Sequence, residues 1–189
     1  EEQTIADLQR KIDSLDARVL TLQNAANGSP ASRSATLQGP AVLQSIQADE
    51  RYPYWMGEVV TRGAMLDISV EIQPGQGRVL VETEPLMGIV FQDAANTAVR
   101  VAENVTGRSL SASDVIFSIR ADAEVPAVDG PSAGALMAAL AIAALNGETP
   151  DSSVTLTGTI DAGGHVGAIG GVLEKSQAAK ESGKRIILL

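Results

Sequence analysis

The stretch "VDGPSAGALMAALAIAALNG", residues 128–147, runs from a tight turn into a helix with no polar face. A helix that is apolar all round belongs inside a protein. The segment from about Pro131 to Leu145 is therefore expected at the centre of the core. Asp129, Gly130 and Pro131 precede Ser132, and an acid and a proline at a helix start are ordinary capping chemistry. The same start has a second use. Free N–H groups and the positive end of the helix dipole converge on Ser132. Such donors would stabilise the oxyanion of a tetrahedral intermediate, and Gly130 and Gly134 let a substrate backbone come close. Capping and nucleophile are both open readings of this stretch.

Outward from this helix, strands and helices mix without regular alternation. In "MLDISVEI" (65–72), Leu66, Ile68, Val70 and Ile72 alternate with polar residues, which predicts a half-buried strand. "PGQG" (74–77) is a turn and "RVLVE" (78–82) a second strand, so the pair predicts a hairpin. Residues 86–105 carry Ile89, Val90, Ala94, Ala98, Val101 and Val105 at helical spacing, ended by Gly107. "DVIFSIRA" (114–121) and "SVTLTGTI" (153–160) read as strands. "DAGGHVGAIGG" (161–171) is a glycine-rich turn into a helix from about Gly171 to Ser182, and "RIILL" (185–189) is a final strand. This order points to an α+β fold class. At the other end, Ile5, Leu8, Ile12, Leu15, Val19 and Leu22 are spaced as a heptad seam. That predicts a coiled-coil oligomerisation helix over residues 1–24, with β-branched and leucine positions that favour two strands. Small and polar residues broken by Gly and Pro predict a flexible linker over residues 25–51. A compact domain is expected over residues 52–189.

Composition narrows the function. Of 189 residues, 44% are apolar but only 3% aromatic, so the core is aliphatic. A net charge of −9 argues against a nucleic-acid partner. Cysteine is absent, which removes thiolate catalysis, and the single histidine, His165, rules out a multi-histidine metal site. No metal and no cofactor are expected. No apolar run reaches the ~18 residues of a membrane span. The chain opens on Glu1, which raises the expectation of a preceding signal peptide, anchor or tag.

A serine nucleophile needs a base. His165 sits in a glycine turn and reads as an exposed loop residue. On the helix after Gly171, positions 172, 175, 176 and 179 share one face, so Lys175 is the lysine that points inward. By pattern alone, a surface lysine laid along apolar neighbours is the competing reading.

Three segments carry a resemblance. "DGPSAG" (129–134), "LTGTI" (156–160) and "GGHVGAIGGVLEKSQAAKESGKRIILL" (163–189) together resemble the proteolytic domain of Lon proteases, over about Met65 to Leu189. The resemblance implies an α+β fold like domain 2 of ribosomal protein S5. It implies a Ser–Lys dyad with Ser132 as nucleophile and Lys175, 43 residues later, as base. It places Thr157 as a hydrogen-bond partner of the lysine and Asp129 as the acid of the nucleophile turn. It also implies ring assembly, usually hexameric, where the heptad seam favours dimers. No G-x-x-x-x-G-K-[ST] motif occurs. The expected activity is an ATP-independent serine endopeptidase acting through an acyl-enzyme on unfolded or loosely structured polypeptides. The alternative is a catalytically silent binding or scaffold module assembled through its coiled coil. The family domain continues past the strand at "RIILL", so a C-terminal portion is expected beyond it. Expected partners are a polypeptide substrate and further copies of the chain, with a possible membrane tether upstream of residue 1. A membrane-tethered or extracytoplasmic setting is favoured over a cytoplasmic one.

The dyad makes a physical demand. A lysine at its ordinary pKa of ~10.4 is neutral in about one molecule in 2,500 at pH 7. A working base needs a pKa of roughly 7 to 8, and full burial lowers a lysine by up to ~3–5. Lys175 must therefore be dry. Asp129 is expected on the backbone of its own turn, since an ion pair with Lys175 would mark a resting site.

Overall fold

The computed structural model describes Lys11, Ile12, Ser14 and Leu15, residues 32–48 and 57–121, Val125 and residues 127–189. The chain forms two compact units, Glu1–Ala31 and Ser32–Leu189. In the first, Lys11, Ile12, Ser14 and Leu15 are helical, with Ile12 and Leu15 about half exposed. The rest of the expected coiled-coil helix, and residues 25–31 and 49–51 of the expected linker, lie outside the described residues.

The second unit is built on a four-stranded sheet. Strand β1 (Arg33–Ala48) pairs antiparallel with β2 (Gly57–Pro74), from Arg33 opposite Ile72 to Ala48 opposite Gly57. This corrects the expected linker, because residues 33–48 form a strand at the edge of the sheet. Its inward positions are Ala35, Leu37, Gly39 and Ala41, and the small residues at three of them hide the alternation. A Cβ on Gly39 would lie 2.5 Å from Leu136 Cδ2, so the glycine marks close packing. Pro40 is tolerated because an edge strand has one side free of ladder bonds.

The expected hairpin is also corrected. Strand β5 (Ser113–Arg120) pairs antiparallel with β2, and β3 (Val79–Val81) runs parallel to β5 on its far side. β5 takes the central place because Val115, Phe117 and Ile119 are buried along it. Asp114 draws the 74–77 turn onto its start. Its carboxylate accepts from Gln76 N at 2.9 Å and from Arg78 N and Nε, each at 3.0 Å. The Arg78 guanidinium, followed by the Gln76 N–H, holds this carboxyl well below the usual range.

Helix α1 (Ile89–Thr106) starts later than its pattern predicts, because Leu86–Met87 form a short strand β4 paired parallel with β6 (Ala127–Val128). Helix α2 (Gly134–Asn146) begins after a 3-10 turn over Pro131–Ala133, where the pattern predicts helix throughout. Leu136, Met137, Leu140, Ala141 and Ala144 are all 1% exposed or less, so α2 is the core helix its composition demands. Alpha helix α1 packs beside it through Phe91, Ala95, Ala98 and Ala102.

The expected strand 153–160 is two strands. β7 (Val154–Leu156) runs parallel to β10 (Ile186–Leu188), and β8 (Thr159–Ile160) pairs antiparallel with β9 (Val166–Gly167). Between β7 and β8 the backbone is diverted to the start of the core helix. Gly158 N donates to Ser132 O at 2.9 Å, and Ala135 N donates to Gly158 O at 3.0 Å. Helix α3 (Val172–Glu181) follows Gly171 and packs on β1 and β2. Among the described residues no helix is long and apolar enough to cross a membrane.

Candidate active site

The two helices that carry Ser132 and Lys175 reach the sheet from opposite sides. Gly39, with Leu136 against it, and Val42, with Gly171 against it, are three residues apart on β1. Side chains alternate faces along a strand, so α2 and α3 lie on different faces. Their N-terminal ends meet around the β1 edge.

Ser132 sits in the 3-10 turn, half-buried. Gly130 before it has φ +121°, a conformation that favours glycine. Gly134 lets the helix start rest on β8, since a Cβ there would lie 2.7 Å from Ile160 Cγ2. Asp129 Oδ1 accepts from Gly130 N at 2.8 Å and from Phe91 N at 3.0 Å. The acid thus satisfies a free donor at the start of α1 as well as its own turn. Gly88 makes room for it, because a Cβ at Gly88 would lie 2.2 Å from Asp129 Cγ. Neither Gly88 nor Phe91 is evident from sequence pattern, which marks only a helix in this region.

Lys175 is 3% exposed. Its Nζ donates to Ser132 Oγ at 2.9 Å and to Thr157 Oγ1 at 3.3 Å. Thr157, itself 1% exposed, donates from Oγ1 to Ser132 O at 3.0 Å. Three side chains from distant segments thereby close on one another. Burial pushes the Lys175 amine below its ordinary pKa. Among the described residues no carboxylate forms an ion pair with it. Gly63 allows α3 to approach this closely: a Cβ there would lie 1.9 Å from Glu174 O. Pattern reading missed Gly63, although an isolated glycine inside a strand is the signal for such an approach.

His165 lies elsewhere. It occupies the exposed turn between β8 and β9, with Nδ1 3.0 Å from Asp161 Oδ2 and no hydrogen bond to Ser132 or Lys175 among the described residues. No group of three metal-ligating side chains occurs among the described residues.

Ser132 and Lys175 open into a cleft of about 570 Å³. One wall is β1 from Gly39 to Gln44, another the Ala127–Ala133 segment, and the floor includes Leu66, Ile68 and Phe91. The arrangement sets an amine whose pKa is lowered by burial against a hydroxyl at hydrogen-bond distance. A general base paired with a hydroxyl nucleophile needs this hydrogen-bond reach.

Residues 54–189 match the family model of the Lon protease (S16) C-terminal proteolytic domain. The Lon protease of Roseiflexus castenholzii is 32% identical over 168 residues, 86% of this chain and 20% of that protein. The archaeal Lon protease of Archaeoglobus fulgidus is 31% identical over 131 residues, 67% of this chain and 20% of that protein. The Lon protease of Chloroflexus aggregans is 31% identical over 205 aligned positions, 100% of this chain and 24% of that protein. The chain spans 20% to 24% of the length of these curated relatives. A match across this much of the compact unit leaves one conclusion: the chain belongs to the family of Lon protease C-terminal proteolytic domains.

Proposed function

We propose that this domain is a serine endopeptidase with a Ser132–Lys175 dyad, hydrolysing unfolded or loosely structured polypeptides without consuming ATP itself. The observation that carries this reading is the 2.9 Å contact between the buried Lys175 amine and the Ser132 hydroxyl at the head of an open cleft. Neutral Lys175 takes the Ser132 proton as Oγ bonds to the peptide carbonyl carbon. The Ser132 N–H, in the first helical turn, is a donor for the oxyanion. The Lys175 ammonium then protonates the leaving amine, the peptide C–N bond breaks, and an ester remains on Ser132. A water gives a proton to Lys175 as its oxygen bonds to the ester carbonyl carbon; Lys175 then returns that proton to Ser132 Oγ as the ester C–Oγ bond breaks, which frees the serine and the new carboxyl end. Thr157 holds the lysine head, and Asp129 holds the turn. The 189 residues contain no G-x-x-x-x-G-K-[ST] loop, which supports ATP independence of this segment.

The test is cleavage of casein without nucleotide, followed by gel and mass spectrometry. Ser132→Ala and Lys175→Ala should each abolish cleavage and leave the circular dichroism spectrum intact. Full turnover by Lys175→Ala would rule out the dyad.

A further inference from the structure

The cleft that holds Ser132 and Lys175 is uneven in charge. Among the described residues, its lining has three ionisable side chains, Asp129, Glu174 and Lys175. Lys175 serves as base only when uncharged, so the working cleft presents two carboxylates and no cation. Asp129 is committed to the fold, since its Oδ1 accepts from Gly130 N and Phe91 N. Glu174 is not. Among the described residues its carboxylate takes part in no hydrogen bond and no ion pair. The residue is half-buried and lies in the first turn of α3, where the helix dipole favours an anion. Its Oε2 is 3.6 Å from the place that a Cβ on Gly171 would take, beside Val42. Its backbone is held in place, because Glu174 O abuts Gly63 on β2 and the next residue's amine bonds to Ser132. A half-buried carboxylate without a partner, lining an open cleft, is a charge still to be matched.

We infer that Glu174 selects polypeptides carrying a cationic side chain, lysine or arginine, close to the bond that Ser132 attacks. This rests on the peptidase reading and gives it a substrate class. Lysine and arginine carry their charge on a long apolar stem, which can lie along apolar lining while the head meets a carboxylate. In a cleft partly shielded from water, such a pair is stronger than the same pair on an open surface. An aspartate or glutamate at that position meets a like charge and is disfavoured. Glu174 adjoins Lys175 in the chain, and an extended substrate advances ~3.3–3.6 Å per residue. The selected side chain therefore belongs to a residue within a few positions of the scissile bond.

The experiment separates selection from chemistry. Short rhodamine-labelled peptides with otherwise uncharged side chains carry one lysine, moved a position at a time. Each is matched by a norleucine peptide, which keeps the stem and drops the charge. Binding to the full chain carrying Ser132→Ala is read by fluorescence anisotropy, and cleavage by the wild-type chain by mass spectrometry. Lysine at one or two neighbouring positions should bind about tenfold tighter than norleucine, the scale of one hydrogen bond to a charged group. Raising the salt should narrow that advantage. Glu174→Gln, which keeps the shape and removes the charge, should abolish it. A residue that only steadied the start of α3 would instead weaken both peptides of a pair alike, and that outcome overturns the inference. Equal binding of lysine and norleucine at every position, a lysine advantage that survives Glu174→Gln, or no binding of any peptide overturns it too. If the advantage appears and depends on Glu174 while the wild-type chain cleaves none of the peptides, the peptidase reading fails and the charge selection stands.

Discussion

Lys175 is 3% exposed, with two hydroxyls as its hydrogen-bond partners. Burial sets its folded pKa below the ordinary 10.5. Between the folded and unfolded values the unfolded chain binds more protons, so stability rises with pH across that window. Below the folded value the cost of a buried ammonium is felt in full. Lys175→Met should therefore raise Tm at pH below the folded value, and the gain should shrink as pH approaches 10.5. Thermal melts of both proteins across pH check this. The rate of casein cleavage should follow the same group, rising with pH to a midpoint below 10.5 in a pH–kcat profile. At its neighbour, Thr157→Val removes the bond to Lys175 Nζ and the bond to Ser132 O. A lost bond of ~1–1.5 kcal/mol corresponds to a fall in kcat of about five- to tenfold. His165→Ala should leave kcat unchanged in the same assay, because the imidazole sits in an exposed turn with Asp161.

Elements meet at this site because particular backbones come unusually close. Gly63 on β2 faces Glu174 O at the start of α3, where a methyl group would fall 1.9 Å from that oxygen. The obstacle is backbone, so Gly63→Ala must displace the helix. Overpacking of this kind costs about 1–3 kcal/mol, read as a lower midpoint in urea. A shift of about 1 Å at reacting groups can cost up to a hundredfold in rate. The expected pattern is a kcat loss much larger than any change in KM. At this scale the sequence was unevenly legible. α2 announced itself, since a helix with no polar face has only one place to go. β1 did not, because Ala35, Gly39 and Ala41 at its inward positions look like linker composition. The 153–160 strand was legible as strand, but its break at Thr157 and Gly158 follows from bonds to Leu188 and Ser132 that no local pattern contains.

In the whole molecule, the second unit, Ser32–Leu189, holds all ten strands and three helices described here. A chain starting at Ser32 should therefore still melt cooperatively. We propose that the heptad seam over residues 1–24 serves self-association. Light scattering should then give the truncated chain a smaller assembly than the full chain, beyond the mass removed. Equal subunit numbers would assign assembly to the second unit alone.

The sequence by itself determined the buried core helix, the turn that opens it, and the order and spacing of the segments bearing Ser132, Thr157 and Lys175. These are local: each is written in the periodicity or the dihedral demands of neighbouring residues. Only the tertiary structure decided that β5 separates β2 from β3, that β1 forms the cleft wall, and that an amine and a hydroxyl 43 residues apart lie at 2.9 Å. Those outcomes depend on which distant backbones can touch. The residues that permit contact, Gly39, Gly63 and Gly88, do so by lacking a side chain, and so add nothing to a hydrophobic pattern.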